Sequence, residues 1–576
     1  MSSFRVWAPK ATTVEMDVAG RRVPMAAAGG GWHEADVAEA GPGTDYGFCL
    51  DGGPALPDPR SPWQPVGVDG PSRTVDHAAF AWSDAAWRGI HLPSAVLYEL
   101  HVGTFTPEGT FDAAIGRLDH LVDLGVDVVE LLPVAQFPGC RGWGYDGVDL
   151  YAPHHAYGGP EGLKRLVDSC HARGLGVVMD VVYNHLGPAG NHLGAYGPYF
   201  TDRYATPWGQ AVNLDDAGSD EVRAFFVDNA LMWLRDYHCD GLRLDAIHAI
   251  LDTSAVHLLE ELGERVEALA AALGRPLFLV AESDLNDPRV VRRREVGGYG
   301  MDAQWSDDFH HAVHAVLTGE RDGYYADFGS LAHVEKALRR AFVYAGDRSP
   351  YRNRRHGRHD PALSGHRFVG YAQNHDQVGN RAQGERSAAL MSPGRLRLAA
   401  ALVLTSPFVP MLFQGEEWGA GTPFQYFTDH ADPDLGRAVS GGRRSEFVAF
   451  GWKPADVPDP QDPATFERSK LDWSELDRNE HAAVLDWHRR LIELRRAVPA
   501  LTDGRLDAIG CEFRDEAGWL VVRRGPITVA GNLGVLPADL PADGGIVLAT
   551  EGVELGPDAT LRLAPDAVAV LARGGG

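Results

Sequence analysis

The 576-residue chain has few cysteines, no long hydrophobic run and no excess of positive charge. Its five cysteines are scattered and form no Cys-x-x-Cys pair, so neither a zinc site nor a disulfide framework is indicated. This pattern favours a reducing compartment, and we expect a cytoplasmic protein. The formal net charge of -26 disfavours nucleic-acid and anionic-membrane partners, because both attract basic patches. A neutral polyol substrate is compatible with this charge.

The most apolar stretch, residues 398–413, is interrupted by Pro407 and Pro410. It predicts a core helix followed by a buried strand rather than a membrane span, which needs about 20 apolar residues. The first ten residues, MSSFRVWAPK, lack a basic region followed by an apolar one, so we expect no signal peptide. No G-x-G-x-x-G follows a strand, and a dinucleotide cofactor has no support. We expect no cofactor of any other kind.

Alternation of strand-like and helix-like segments divides the chain into three parts. Residues 1–85 and 496–576 hold short alternating strands punctuated by turns, which predict an N-terminal and a C-terminal β-sandwich. Residues 86–495 alternate buried strands with amphipathic helices, and we predict a (β/α)8 TIM barrel with an insertion after strand three at about 183–216. A doubly wound open sheet is the structural alternative. The predicted barrel strands are 96–100, 128–132, 176–182, a run around Leu242, 277–281, 301–305, 367–371 and 409–413.

Four of these strands end in polar residues, and barrel enzymes place reacting groups at the C-terminal ends of their strands. Arg243 and Asp245 lie two apart on strand four and therefore share a face, so the guanidinium should keep Asp245 ionised. Glu282 follows an apolar run, and a partly dry setting should raise its pKa. One ionised and one protonated carboxyl group are what retaining glycoside cleavage requires.

Asp376 is the third strand-end carboxylate and lies near the end of strand seven. Each carboxylate alone could be a helix cap or a surface charge, but all three at strand ends favour a catalytic group. His185 and His375 should bond sugar hydroxyls, with metal ligation as the alternative. Tyr145 lies in a Gly-rich segment after strand two and is a candidate to lie under the reacting sugar, although the segment could be an ordinary turn.

These segments, in this order, resemble the four sequence regions of the α-amylase family, glycoside hydrolase family 13. The resemblance implies that Asp245 is the nucleophile, Glu282 the general acid/base and Asp376 the residue that stabilises the distorted sugar. The N-terminal string FRVWAP is similar to the early-set, carbohydrate-binding-module-like domain of branching and debranching members. By the same resemblance, the residues lining the subsite of the cleaved glucose are Arg243, His185, His375 and Tyr145.

Longer strings, at 281–289, 302–311, 373–381 and 415–419, are similar to the members of this family that act on maltooligosyl trehalose. The resemblance implies hydrolysis of the α-1,4 bond next to the terminal trehalose, with release of trehalose and a maltooligosaccharide. It also implies a place in trehalose biosynthesis, where a companion maltooligosyltrehalose synthase supplies the substrate. Residues 305–311, Asp308 among them, are candidates for contacts with trehalose.

The second family region departs from the usual amylase pattern. His248 stands three positions after Asp245, where many amylases have Lys followed by His. Since that position contacts the leaving-group side, ordinary endo-amylase specificity is not implied. Asn184 resembles an amylase calcium ligand, but no further ligands can be assigned and we predict no metal site. The remaining alternatives are a glycogen branching enzyme, an α-amylase and a non-catalytic carbohydrate-binding protein, which the presence of all three carboxylates disfavours.

Overall fold

The centre of the molecule is a closed barrel of eight parallel strands. A computed structural model describes residues 2–446 and 452–573 of the chain. The strands follow one another around the barrel in chain order, and the eighth pairs with the first, so the predicted TIM barrel is confirmed and the open sheet is excluded. The strands are β1 (Leu97–Leu100), β2 (Val128–Leu131), β3 (Gly176–Val181), β4 (Gly241–Leu244), β5 (Phe278–Ala281), β6 (Ala303–Trp305), β7 (Phe368–Gly370) and β8 (Val409–Phe413).

Every residue of these eight strands is buried, which explains why they occur as largely apolar runs in the sequence. Polar side chains interrupt the runs at Glu99 on β1, Glu130 on β2, Asp180 on β3 and Arg243 on β4. Glu99 and Glu130 lie opposite each other in the register of β1 and β2. Because burying charged groups is costly, their presence inside the barrel marks the region where the chemistry is concentrated.

Helices surround the barrel and follow the predicted periodicity. In Gly159–His171 the stripe formed by Leu163, Leu166, Val167 and Cys170 is buried. The stretch 398–413 forms the end of the helix Pro393–Leu404 and then β8, as predicted. In the part of the chain that the structure describes, no helix is long and apolar enough to cross a membrane. The α-helices are Val102–Phe105, Phe111–Ile115, Leu118–Leu124, Gly159–His171, Leu193–Tyr196, Ser219–Arg235, Leu258–Leu273, Asp307–Thr318, Leu331–Arg340, His375–Gly379, Ser387–Leu390, Pro393–Leu404, Pro433–Glu446, Pro463–Arg468 and Asn479–Ala497.

Antiparallel sheets precede and follow the barrel, as predicted for the two ends of the chain. The division of the chain near residues 85 and 495 stays a prediction. The N-terminal sheets contain Ser2–Trp7, Trp32–Val37 and Ala26–Gly29, and then Arg21–Pro24, Val14–Val18, Asp45–Leu50, Ala55–Leu56 and Ser72–Arg73. The C-terminal sheets contain Ile509–Arg514, Trp519–Arg524, Ile527–Asn532, Val568–Ala572 and Gly545–Ala549, and then Ala538–Pro541, Thr560–Leu563 and Val553–Leu555.

Two insertions lie between barrel strands, one after β3 and one between β6 and β7. After β3 the chain forms a hairpin in which Phe200–Thr206 pairs with Gly209–Val212, within the predicted insertion. A second, polar segment carries the short antiparallel pair Arg348–Ser349 and Arg354–Arg355. The turn of this second hairpin contributes Arg352, whose Nη2 lies 3.0 Å from Asp284 Oδ2 just beyond the end of β5. Both insertions therefore add side chains at the end of the barrel where the strand-end carboxylates lie.

Candidate active site

Arg243 lies on β4 inside the barrel, and its guanidinium contacts three carboxylates. Its Nη1 lies 2.8 Å from Asp180 Oδ2 and 2.9 Å from Asp245 Oδ1. Its Nη2 lies 2.9 Å from Glu282 Oε2, at an angle outside hydrogen-bond geometry. The ring of Trp305 packs against the guanidinium, with the ring centroid 4.2 Å from Arg243 Cζ. Because the side chain is fully buried, its charge acts in a low-dielectric interior and is weakly screened.

Asp245 directly follows β4, and its carboxylate is held in the ionised form. Asn184 Nδ2 donates to Asp245 Oδ2 at 2.7 Å and to the backbone oxygen of Asp245 at 2.9 Å. Burial pushes the pKa of Asp245 upward, but the charges of Arg243 and His185 outweigh burial and leave the pKa below its ordinary value. A buried carboxylate that stays ionised and is 12 % exposed can act as a nucleophile toward a sugar in the barrel mouth.

Glu282 directly follows β5 and is held in the protonated form. Burial raises its pKa well above the usual value, and the charges of Asp245 and Asp376 add to this against the opposing charge of Arg243. The backbone N–H of Ala246 donates to Glu282 Oε2 at 2.7 Å. Within the described residues, Oε1 accepts no hydrogen bond, which leaves that oxygen to carry the proton. Asp245 and Glu282 therefore have pKa values shifted in opposite directions, as the sequence predicted.

Asp376 lies beyond β7 in the first turn of the short helix His375–Gly379. Asn374 caps this helix, with its Oδ1 accepting from the backbone N–H of Asp376 at 2.9 Å. Asn380 Nδ2 donates to Asp376 Oδ1 at 3.2 Å. The Asp376 side chain is 40 % exposed, far more than Asp245 or Glu282, so it faces the open mouth where a ligand would sit.

Tyr145 and His375 form one hydrogen-bonded chain beneath the carboxylates. The Tyr145 hydroxyl donates to Asp180 Oδ2 at 2.7 Å and lies 2.8 Å from His375 Nε2. The two rings stack with centroids 5.3 Å apart. His375 Nδ1 lies 2.5 Å from Glu99 Oε1, a residue on β1. The predicted residues Tyr145, Arg243 and His375 are thus brought together, with Asp180 and Glu99 as partners that sequence reasoning did not assign.

His185 occupies the opposite wall of the site, after β3. Its Nε2 donates to the backbone oxygen of Tyr145 at 3.0 Å, and its Nδ1 contacts Asn184 Oδ1. Both acceptors are uncharged, and burial lowers the pKa of His185. The indole of Trp208, from the hairpin after β3, stacks on this imidazole with centroids 4.4 Å apart and planes 6° apart. Trp208 is 48 % exposed, so one aromatic face remains open toward solvent.

Asp308, expected among the trehalose contacts, has a different environment. Its Oδ2 accepts from Asn286 Nδ2 at 2.8 Å and from the backbone N–H groups of Val343 and Tyr344. These bonds fix the 343–344 turn, so Asp308 supports the wall of the site from behind. The neighbouring Asp307 accepts from the Tyr371 hydroxyl at 2.6 Å, and burial raises its pKa to about 7. The structure therefore favours Asp307 over Asp308 as the carboxyl group beside the catalytic cluster.

His248 is exposed, in the short 3-10 helix Ile247–Ala249 just after Asp245. Burial raises the pKa of Asp284, but the hydrogen bond from Arg352 and the nearby charge of His248 lower it below its usual value. His248 thus lies on the rim, near Asp284 and Arg352. The described residues contain no group of three or more His, Cys, Asp or Glu side chains arranged to bind a metal ion. Asn184, which resembled a calcium ligand, is engaged with Asp245 instead.

Comparison with known proteins finds relatives along nearly the whole chain. Residues 76–193 match the family model for the α-amylase catalytic domain, and residues 504–570 match a domain of unknown function, DUF3459. The chain is 55% identical to malto-oligosyltrehalose trehalohydrolase of Arthrobacter ramosus over 560 residues, which are 96% of each chain. It is 45% identical to the enzyme of that name from Saccharolobus solfataricus over 522 residues, 90% of this chain and 89% of the other.

A solved structure has the same fold. The crystal structure of a Salmonella typhimurium protein, assigned provisionally as an α-amylase, superposes with a TM-score of 0.91 at 40% identity. The superposition covers 99% of this chain and 97% of that one. The chain has a closed barrel and is 45% and 55% identical to these two relatives over 90% and 96% of its length. It therefore belongs to the malto-oligosyltrehalose trehalohydrolase family of α-amylase-type glycosidases.

Proposed function

We propose that the protein hydrolyses the α-1,4-glucosidic bond next to the terminal trehalose of maltooligosyl trehalose, releasing trehalose and a maltooligosaccharide. This is the activity of a 4-α-D-((1→4)-α-D-glucano)trehalose trehalohydrolase. The anomeric configuration of the released maltooligosaccharide is retained. Family membership supports the substrate, and the site supports the reaction type.

One observation supports the reaction above all others. A single guanidinium lies 2.9 Å from both Asp245 Oδ1 and Glu282 Oε2, yet the pKa of Asp245 is lowered and that of Glu282 is raised. Retaining glycosidases need two nearby carboxyl groups, about 5 to 5.5 Å apart, one ionised and one protonated. Contact with the two terminal nitrogens of one guanidinium holds these two carboxyl groups near each other.

In the first step Asp245 attacks the anomeric carbon of the glucose next to trehalose. The bond from that carbon to the trehalose oxygen breaks, and the proton of Glu282 passes to the departing oxygen. Trehalose leaves, and the maltooligosyl group remains bound to Asp245. Asp376 stabilises the positive charge that develops on the sugar ring, in the position its exposed carboxylate occupies.

In the second step Glu282, now ionised, removes a proton from water. The water oxygen attacks the anomeric carbon from the side that trehalose left, and Asp245 is released as a carboxylate. Each step inverts the carbon once, so the product keeps its α configuration. No cofactor takes part in either step.

The walls of the site supply the sugar contacts. Tyr145 lies under the reacting glucose, and His185, Arg243 and His375 hold the groups around it. His248, on the exposed rim beyond Asp245, contacts the departing trehalose. Asp308 supports the neighbouring wall through its bonds to Val343 and Tyr344.

The proposal includes a physiological setting. A maltooligosyltrehalose synthase supplies the substrate, and the two enzymes together make trehalose. Five free cysteines, three of them buried, are compatible with a reducing cytoplasm as the location.

Product analysis tests the function directly. Maltotriosyl trehalose and maltopentaose, offered separately at equal concentration, should be cleaved at very different rates, with trehalose and maltotriose as the main products of the former. Equal cleavage of both substrates would identify an α-amylase instead. New α-1,6 branch points without sugar release would identify a branching enzyme. Asp245→Asn and Glu282→Gln serve as catalytic controls, because both are close in size to the wild-type residues.

A further inference from the structure

His375 has an acceptor at each ring nitrogen, and one of these acceptors is a buried carboxylate group. On one side, Nδ1 lies 2.5 Å from Glu99 Oε1, and the backbone N–H of His375 donates to Glu99 Oε2 at 3.0 Å. On the other side, Nε2 lies 2.8 Å from the Tyr145 hydroxyl oxygen. Both side chains of the Glu99–His375 pair are 1 % exposed. The pair is therefore shielded from water and salt.

The direction of each hydrogen bond follows from the neighbours of Tyr145. The Tyr145 hydroxyl donates its only hydrogen to Asp180 Oδ2, which Arg243 Nη1 also contacts at 2.8 Å. Burial raises the pKa of Asp180 to about 6, so above that pH Asp180 is ionised and holds the tyrosine hydrogen, and His375 Nε2 must donate to the tyrosine oxygen. Nδ1 must likewise donate to the Glu99 carboxylate. Both ring nitrogens then carry a hydrogen, which makes His375 an imidazolium.

Charged groups from every neighbouring element bear on this imidazolium. Asp376 Oδ1, on its own helix, lies 3.7 Å from Nε2. The pKa of His375 is raised above its ordinary value. Burial and the charge of Arg243 lower this pKa, but the charge and hydrogen bond of Glu99, together with the charge of Asp376, outweigh them. Burial and the charge of His375 keep the pKa of His101 at about 4.

Glu130 on β2 provides an internal comparison. It lies opposite Glu99 in the register of the two strands and is equally buried. Its Oε2 has no hydrogen-bond partner among the described residues, and burial with the charge of Glu99 raises its pKa well above the usual value. Of two matched carboxyl groups, the one beside His375 thus has a hydrogen-bond partner at each oxygen, whereas the other has an oxygen without a partner among the described residues and a raised pKa. Contact with His375 is what distinguishes Glu99.

From this geometry we propose that Glu99 is a positioning residue for the reaction. It keeps His375 an imidazolium whose Nε2 hydrogen holds the Tyr145 hydroxyl and whose charge holds the Asp376 carboxylate at the mouth of the site. Glu99 touches no substrate and acts through His375 alone. The proposal rests on the proposed glycoside hydrolysis for its kinetic consequence, but the charge state of His375 is independent of any substrate.

The first test needs no substrate. The Cε1–H signal of His375 is followed by NMR in ¹³C-histidine-labelled protein and is assigned by its loss in His375→Gln. In the wild type, His375 should stay doubly protonated above the ordinary histidine pKa of about 6.5. In Glu99→Gln its pKa should fall by about one unit or more, since the buried charge that favours the imidazolium is gone. A wild-type His375 that is neutral at pH 7 would overturn the proposal.

The second test is kinetic and uses whichever substrate the wild type cleaves best, so a failure of the trehalose assignment leaves it valid. Glu99→Gln should lower kcat about tenfold at pH 7.5, move the alkaline limb of the pH profile to lower pH and change KM by less than about threefold. Glu99→Asp, which keeps the charge, should restore part of the alkaline activity. Glu130→Gln, equally buried but already neutral in the wild type, should keep the wild-type profile. Equal effects of Glu99→Gln and Glu130→Gln, with unshifted profiles, would show that Glu99 only fills space.

Discussion

Replacing Arg243 by lysine tests whether one guanidinium sets the opposite protonation states of Asp245 and Glu282. Lysine keeps a positive charge but has a shorter reach to its single nitrogen, which cannot contact three carboxylates that approach two different nitrogens of Arg243. Disrupting a buried ion pair costs about 3–5 kcal/mol. At about 1.4 kcal/mol per factor of ten, kcat/KM should fall by about two to four orders of magnitude.

The pH dependence of kcat/KM is a more specific test than the size of the loss. The charge of Arg243 lowers the pKa of both Asp245 and Glu282, so weakening it raises both values. Activity needs an ionised Asp245 and a protonated Glu282, and the acidic and alkaline limbs of kcat/KM against pH should therefore both move to higher pH. The assay is the initial rate of sugar release over pH 3 to about 10, with circular dichroism at each pH to confirm folding.

Arg495→Lys is the matched control. Arg495 is equally buried, but its guanidinium donates to the backbone oxygens of Leu404, Ser406 and Phe408, far from any catalytic carboxylate. Its replacement should lower thermal stability without moving either limb. If Arg243→Lys keeps kcat/KM within about tenfold of the wild type and leaves the limbs in place, the account of the site is refuted.

Three further outcomes are expected. The wild-type profile should be bell-shaped, with an acidic limb below the ordinary aspartate pKa of about 3.9 and an alkaline limb well above the ordinary glutamate value of about 4.3; limbs in the ordinary ranges would contradict the cited shifts. Tyr145→Phe removes the hydroxyl between Asp180 and His375 and should lower kcat about tenfold or more, which steady-state rates will show. His171 lies between two buried aspartates that raise its pKa against the effect of burial, so it stabilises the fold below pH about 6.5, and this stabilisation is lost as pH rises through the higher folded pKa. His171→Gln should therefore lower the unfolding midpoint more at pH 6 than at pH 9, and an equal loss at both would contradict this.

The barrel could be predicted because each of its strands is buried on both faces. Such strands are largely apolar runs, and all eight were recognisable between amphipathic helices. Strand ends differ from the predicted ones by one or two residues, as at β3, predicted to reach Val182 and ending at Val181. Side-chain patterns do not define where the last ladder hydrogen bond falls.

The three carboxylates proposed as catalytic could be located from the sequence for a local reason. Asp245, Glu282 and Asp376 each follow an apolar strand within a few residues, and the barrel brings strand ends together without further information. Their opposite pKa shifts also followed from nearby residues. Burial and a guanidinium two positions from Asp245 are features that the sequence displays.

The residues that were missed depend on distant parts of the chain. Glu99 contacts His375, which lies 276 positions later in the chain. In the sequence, Glu99 was marked only by being a charged residue inside the buried run of β1. Asp307 and Asp308 were both within the predicted stretch 305–311, but only the rotation of the helix Asp307–Thr318 decides which of them faces the carboxylates. Arg352 reaches Asp284 from the turn of the short hairpin at 348–355, which lies between β6 and β7. Composition and periodicity carry no information on contacts between residues that are far apart in the chain.

Trapping of the covalent intermediate tests the central claim most directly. A fluorinated maltooligosyl fluoride, whose intermediate forms faster than it is hydrolysed, is incubated with the enzyme, which is then digested and analysed by mass spectrometry. The account predicts one glycosyl adduct, on the peptide that contains Asp245, absent from Asp245→Asn. An adduct on another residue, or no adduct together with release of the β-anomer from the natural substrate, would contradict it.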